Sequence, residues 1–369
     1  MNKILVPLLL LFILSISCSD SSSDSEDNSN SGNPDPTDAT GLYFPPINSN
    51  NWETTSISDL GWNLNNEEPL YNFLEEKATK SFIILKNGKI VVEKYFNGAT
   101  AEDDNPWFSA GKTLTAFTVG IAQEEGLLSI TEASNTYLGA GWAMITPEQE
   151  NAITIKNHLT MTTGLDYNVS NLNCTDIDCL TYLNQPDNFW YYHNAGYTLL
   201  TDIISDAVNQ EFDSYFNSKI RNKIGMNGTW LSFGYVNIYY STARSMARFG
   251  LLSLNEGTWD KEALLSDPNY FDDMTTTSQD LNPSYGYLWW LNGKSSFIPP
   301  AAQMPFSGKL IPNAPDDLIA GLGANDQKLY VVPSQNLVIV RMGEDAGETL
   351  LGPSSFDNEL WERINLLIN

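Results

Sequence analysis

From Thr113 to Gln123 the chain carries no charged side chain, and this run follows directly on a lysine, Lys112. Its apolar residues include Leu114, Phe117, Ile121 and Ala122, a spacing that puts three of them on one face of an α-helix. The remaining positions are neutral as well, so the predicted helix has no face suited to water and the fold has to bury it on most sides. Burial at the head of such a helix penalises the charged form of Lys112 and lowers its pKa. Three residues earlier stands Ser109, in the run Trp107-Phe108-Ser109-Ala110-Gly111-Lys112. Positions i and i+3 share a helix face, so hydroxyl and amine can meet. A serine at this end of the helix also lies where unpaired backbone N–H groups and the helix dipole favour a developing oxyanion. One turn thus supplies a nucleophile, a base and part of an electrostatic sink. A Ser-x-x-Lys tetrad alone is expected about once by chance in a chain of this length. Its weight comes from the aromatic run before it, the uncharged helix after it and a partner motif downstream.

With 369 residues, 42% of them hydrophobic, the chain can bury a large core in one to three domains. Residues 1–17 read as an export signal, with Lys3 as the positive start, an apolar Ile4 to Ile16 too short to span a bilayer comfortably, and small residues before Cys18. The run Leu14-Ser15-Ile16-Ser17-Cys18 resembles a bacterial lipobox, which implies lipid attachment at Cys18 and an exported lipoprotein anchored to a membrane, on the periplasmic face or the cell surface. Residues 18–50 form an acidic Ser/Asp-rich tether; Ser19 to Thr40 bury too little apolar surface to offset their ordering entropy. The formal charge of -26 leaves no basic footprint for phosphates and excludes nucleic acid as a partner. Cys174 and Cys179, five apart in a polar loop of an exported chain, are candidates for a local disulfide. With two histidines in total there is little from which to build a Cys/His zinc site, and neither metal nor cofactor is expected.

Ser81 to Leu85 and Lys89 to Tyr95 alternate around Asn87-Gly88, a strong hairpin signal. A helical middle follows, with Ile155 to Met161, Tyr197 to Val208, Phe212 to Ile224 and Ala243 to Leu254. Strand signals return at Lys328 to Val332 and Leu337 to Met342, and a last amphipathic helix carries Phe356, Leu360, Ile364 and Leu367. Hairpins without strand-helix alternation imply an α/β (α+β) fold: an antiparallel sheet built from both chain ends, flanked by helices, with an inserted all-helical lobe. The folded body spans 51–369, with a sheet lobe at about 56–108 and 280–369 and a helical lobe at about 109–279. A cleft between lobes is the expected site.

Tyr192 and Asn194 stand just before the helix of Leu199 and Leu200, where polar tips can point into a cleft. A tyrosine near a lysine ammonium has its phenolate favoured and can relay the serine proton. Asn194 offers both donor and acceptor to Lys112 or to a substrate amide. For Trp190, Tyr191 and Tyr197 packing or aromatic lining is the default. His158, in an apolar helix, reads as a core residue, and His193 faces neighbouring structure rather than a triad.

Taken together, Ser109-x-x-Lys112, Tyr192-x-Asn194 and the glycine-rich Gly321-Leu322-Gly323-Ala324 resemble the motifs of serine hydrolases built like class C β-lactamases and penicillin-binding proteins. Esterases, D-aminopeptidases and 6-aminohexanoate-dimer hydrolases belong to the same group. The stretches Ile155 to Leu165, Ser241 to Arg244 and Tyr285 to Trp290 look familiar too, so the resemblance covers about Ser81 to Asn369. It implies attack by Ser109 on an acyl carbon, acid-base duty shared by Lys112 and Tyr192, and an oxyanion held by the backbone N–H groups of Ser109 and Ala324. Where β-lactamases and penicillin-binding proteins commonly carry a lysine, this chain has Gly321. Losing that charge-assisted partner is worth about 1.5 to 3 kcal/mol against carboxylated substrates. The replacement looks like the esterase and 6-aminohexanoate-dimer hydrolase branches, which implies a small neutral or amino-bearing amide or ester as substrate. Trp107, Trp289 and Trp290 are candidates for an apolar wall. The alternatives are a D,D-carboxypeptidase or β-lactamase, and a silent envelope binding protein.

Overall fold

A computed structural model describes residues 41–347 and 353–369. The expected signal segment, Cys18 and the tether as far as residue 40 lie outside the described residues, whereas 41–50, also assigned to the tether, instead join the folded body: Leu42, Tyr43 and Phe44 are buried and the Tyr43 N–H donates to the Asn87 carbonyl at 3.0 Å. Helix α1 (Glu67–Glu76) leads into β1 (Thr79–Lys86) and β2 (Lys89–Tyr95). At their turn Asn87 and Gly88 take φ of 51° and 80°, the left-handed pair that a tight hairpin of this twist requires. Then come α2 (Lys112–Glu124), α3 (Asn194–Val208), α4 (Ala243–Leu254), β3 (Trp290–Leu291), β4 (Ile319–Gly323), β5 (Gln327–Val332), β6 (Leu337–Gly343) and α5 (Ser355–Ile368).

The main sheet runs β2-β1-β6-β5-β4-β3 with antiparallel neighbours throughout. Ile83 pairs with Val340 and Ile84 with Ile339, so both chain ends build its centre. Every residue of β5 and β6 is buried, as a sheet covered on both faces demands. Helix α4 lies so close on one face that a side chain at Gly250 would put its first carbon 2.4 Å from Val338 Cγ1. On the other face Phe73 of α1 stacks on Phe356 of α5, and Trp361 meets Tyr330 of β5 edge-on. Phe356, Leu360, Ile364 and Leu367 are all buried, as their spacing predicts. The start of α5 is fixed by Asp357, whose carboxylate accepts from the Ser354 backbone N–H at 2.7 Å, from Lys328 Nζ at 2.9 Å and from the Tyr330 hydroxyl.

Helix α2 is buried from Lys112 through Ala122. Tyr197 of α3 reaches Thr115 Oγ1 at 3.2 Å, Phe249 of α4 packs on Phe117, and the Tyr270 hydroxyl donates to the Ala116 carbonyl at 2.8 Å. The insertion departs from an all-helical reading at a short antiparallel pair, Thr258–Trp259 with Glu262–Ala263, and above all where Thr229–Phe233 and Val236–Ser241 form a hairpin, with Asn105–Pro106 as its third strand. β-Branched and aromatic residues on both sides of Gly234, whose φ is 62°, favour strands over a helix there. Phe212 to Ile224 is likewise not one regular helix, because an α-turn at Phe212–Phe216 widens into a π-turn over Asn217–Arg221.

Candidate active site

Trp107 anchors the turn that carries Ser109. Its backbone N–H donates to the Tyr239 carbonyl at 2.8 Å and its indole N–H to Ser241 Oγ at 2.8 Å, both on the hairpin. Phe108 is then forced to a φ of 46°, a left-handed conformation that costs a non-glycine residue about 1 kcal/mol or more. From Phe108 to Gly111 the chain forms a 3₁₀ turn running straight into α2. With three residues per turn, positions i and i+3 eclipse, and Lys112 Nζ lies 3.0 Å from Ser109 Oγ. The ammonium position faces the rings of Tyr197 at 4.4 Å and Tyr192 at 5.0 Å. Burial lowers the Lys112 pKa to about 7, so near neutral pH much of the amine carries a free lone pair.

Tyr192 is within hydrogen-bonding reach of Ser109, but its phenol is pushed well above the usual range by burial, with the Ser109 contact pulling weakly the other way. The expectation that a lysine ammonium favours its phenolate is therefore corrected. The pocket that strips charge from Lys112 also keeps Tyr192 a neutral O–H donor. Trp290, expected to line the cleft, instead stacks on the back of Tyr192 with ring centroids 6.0 Å apart and is buried. Trp289 stacks on Phe249 and Trp107 packs edge-on against Tyr239, both in the core. The cleft of about 150 Å³ around Ser109 and Lys112 is walled by Phe108, Tyr197, Val236 and Ile238, none of which was singled out as lining except Tyr197.

The start of α3 is held by two histidines through a single residue. Gly196 donates its backbone N–H to His193 Nδ1 at 3.3 Å, and its carbonyl lies 2.6 Å from His158 Nδ1. The second nitrogen of each ring is engaged as well, with Asp166 O for His193 and Ser134 Oγ for His158. This network assigns the proton to Nε2 of His193 and to Nδ1 of His158. Burial lowers the pKa of both, His158 to about 4, so both rings are neutral struts. Asn194 lines the cleft and donates its amide to Asn173 Oδ1 at 2.9 Å, not to Lys112. Its own carbonyl oxygen is buried with no partner among the described residues. Asn173 went unnoticed in the sequence; its one signal is its place beside Cys174, which is joined to Cys179 in a disulfide.

Strand β4 closes the site. A side chain at Gly323 would put its first carbon 2.3 Å from the Trp107 carbonyl and 3.2 Å from the Ala110 nitrogen, so only glycine lets the strand lie on the turn that carries Ser109. Ala324, next along, lines the cleft with Ser109. At Gly321 the first carbon would come within 3.3 Å of Thr113 Cγ2 and 3.4 Å of the Ala110 carbonyl, so a longer residue there would have to push past the head of α2. Ser109, Lys112, Tyr192, Asn194 and Ala324 thus come together, with Gly321 and Gly323 as the floor and Trp290 behind. Among the described residues no group of three or more His, Cys, Asp or Glu side chains is arranged to hold a metal ion.

The family description "Beta-lactamase" matches residues 75–350. A curated relative, "Putative penicillin-binding protein PbpX" of Bacillus subtilis (strain 168), is 26% identical over 181 residues, which are 43% of this chain and 43% of that protein. The match thus spans less than half the relative's length. Among solved structures, the "Putative 6-aminohexanoate-dimer hydrolase from Bacillus anthracis" superposes with a TM-score of 0.65 at 19% identity, covering 89% of this chain and 88% of the other. A "putative beta-lactamase from Bacteroides dorei DSM 17855" gives 0.66 at 15% identity, covering 84% and 99%. At these identities the structural likeness is one of fold.

Proposed function

The chain belongs to the beta-lactamase family, whose members are generally serine hydrolases, and from that premise we propose that it cleaves small amides or esters through an acyl-enzyme on Ser109. The observation that carries the reading is a buried lysine Nζ 3.0 Å from a serine hydroxyl at the head of a helix, with burial lowering the lysine pKa to about 7. Ser109 Oγ attacks the acyl carbon while its proton moves to the lone pair of Lys112 Nζ. The charge that develops on the carbonyl oxygen is met by the backbone N–H groups of Ser109 and Ala324. The bond to the leaving group then breaks as that group takes a proton from the Tyr192 hydroxyl, which Lys112 restores from its own. Water attacks the resulting ester and passes a proton to Lys112, which hands it to Ser109 Oγ as that oxygen departs, so the serine hydroxyl and the free amine are restored and the carboxylic acid is released. Asn194 lines the cleft and brings a side-chain amide, donor and acceptor together, to the position of a substrate amide. Gly321 gives a substrate carboxylate no cation, which favours neutral or amino-bearing substrates over carboxylated β-lactams.

The test exposes the purified protein to a fluorophosphonate, a chromogenic ester, an anilide and a chromogenic β-lactam. The expected result is a single adduct on Ser109 by mass spectrometry, ester or anilide turnover, and a drop of about a thousandfold or more in that turnover for Ser109→Ala. Full turnover by a folded Ser109→Ala protein overturns the mechanism. β-Lactam turnover outrunning that of the ester and the anilide overturns the substrate class alone.

A further inference from the structure

The hairpin beside the cleft has two faces of opposite character. On one, Trp230 and Tyr239 pair across the strands, are buried, and pack on Phe216. On the other, Leu231 pairs with Ile238 and Phe233 with Val236, yet Leu231 is 42% exposed and Phe233 52%. Paired residues in an antiparallel ladder project from the same side, so these four side chains form one apolar stripe. Phe233 leans along it to within 6.2 Å of the Tyr240 ring. From Thr229 to Ser241 there is no charged residue, in a chain whose formal charge is -26.

The inner end of this stripe belongs to the catalytic cleft, because Val236 and Ile238 line the same space as Ser109 and Lys112. Its outer end is the turn at Gly234. At about 3.3 Å per strand residue, the distance from Ile238 to that turn is roughly 13 Å, the length of an extended chain of about ten carbons. Tyr192, the acid for the leaving group, reaches Ser109 from a different cluster of rings, Trp190, Tyr285 and Trp290, and not from the hairpin. The leaving group has to lie towards its acid, which leaves the hairpin side to the acyl part. We infer that the stripe binds an unbranched apolar acyl chain running outward from Ser109, and that the enzyme selects medium-chain acyl esters or amides. This rests on the hydrolase reading and adds a substrate class to it.

The experiment measures kcat/KM for p-nitrophenyl esters from acetyl to decanoyl in the wild type, Leu231→Ser, Phe233→Ser and Leu366→Ser. The wild type is expected to gain about two- to threefold per methylene between butanoyl and octanoyl, in line with the burial of each CH₂. Leu231→Ser and Phe233→Ser are expected to lower the octanoyl-to-butanoyl ratio at least fivefold. Leu366→Ser, an exposed leucine on α5, keeps both the ratio and the turnover. Because the readout is a ratio within one protein, a partly unfolded sample does not mimic it.

A second arm needs no chemistry. Folded Ser109→Ala is titrated with N-octanoyl and N-butanoyl amides by calorimetry, and the longer chain is expected to bind about tenfold or more tightly. Absence of a Ser109 adduct would sink the hydrolase reading, whereas equal binding of the two amides overturns the stripe. Ratios unchanged in Leu231→Ser and Phe233→Ser overturn it as well. If those variants instead lose binding to neutral phosphatidylcholine vesicles, the stripe is a contact for a lipid surface.

Discussion

Lys112 is almost closed off from solvent, and on the proposed mechanism it exchanges a proton with Ser109, a double demand with measurable consequences. Its folded pKa of about 7 lies below the roughly 10.4 of a lysine in the unfolded chain. Activity is expected to rise with pH through about 7, as the ammonium gives way to the amine, and then to level off. A kcat/KM profile flat between pH 5 and 9 would remove Lys112 as the base. Between about pH 7 and 10.4 the unfolded chain holds the proton that the folded chain has lost, so stability increases with pH over that window. Lys112→Met should therefore abolish turnover and at the same time raise stability at pH 7, on the order of 3 kcal/mol, which chemical denaturation can read. His158 works at the acid end. Its folded pKa of about 4 lies below the ordinary 6.5, so stability is lost as pH falls from about 6.5 towards 4. At this scale the sequence was informative where spacing dictates geometry, as in Ser109 and Lys112. It misled where only burial decides: nothing in the letters separates a tryptophan that lines a cleft from one, like Trp290, that stacks behind the ring of Tyr192. The direction of the Tyr192 shift depended in the same way on an enclosure that no single residue encodes.

Helix α5 docks through one carboxylate with two duties. Asp357 caps its own helix through Ser354 and pairs with Lys328, which is fully buried and also lies 3.0 Å from Asp326. Replacing Asp357 with alanine strands part of a buried cation and uncaps the helix together, so the expected loss is about 3 to 5 kcal/mol in a urea melt. A loss below about 1 kcal/mol would mean that α5 is held by its apolar face alone. That face was legible, because Phe356, Leu360, Ile364 and Leu367 recur with helical period, and the Asn87-Gly88 hairpin was legible from its turn chemistry. The hairpin at Thr229–Ser241 was missed, although Gly234 between two runs rich in aromatic and β-branched residues was the signal available. It sits inside a long helical region, and its exposed face alternates apolar with apolar across the strands rather than polar with apolar. The period-2 signature of an ordinary half-buried strand is thereby blurred.

For the molecule as a whole, we propose that the hydrolase body works from a lipid anchor at Cys18, on an acidic tether. The check is fractionation of cells: the native chain should partition with membranes and Cys18→Ser should be released, while ester turnover by the two remains within about twofold. Membrane retention of Cys18→Ser would disprove the anchor. Sheet topology adds a constraint of timing. Strand β1 is made early, but its partner β6 comes almost last, and Ile83 and Ile84 have nothing to pair with on that side until Ile339 and Val340 arrive. Strand β4, which lies on the Trp107-Ala110 turn, is also a late arrival. The turn that carries Ser109 therefore lacks its floor for most of the chain's synthesis. On the proposed hydrolase reading, a chain still being made, or cut short before β4, is expected to be inert, because the strand that seats the Ser109 turn has not yet arrived.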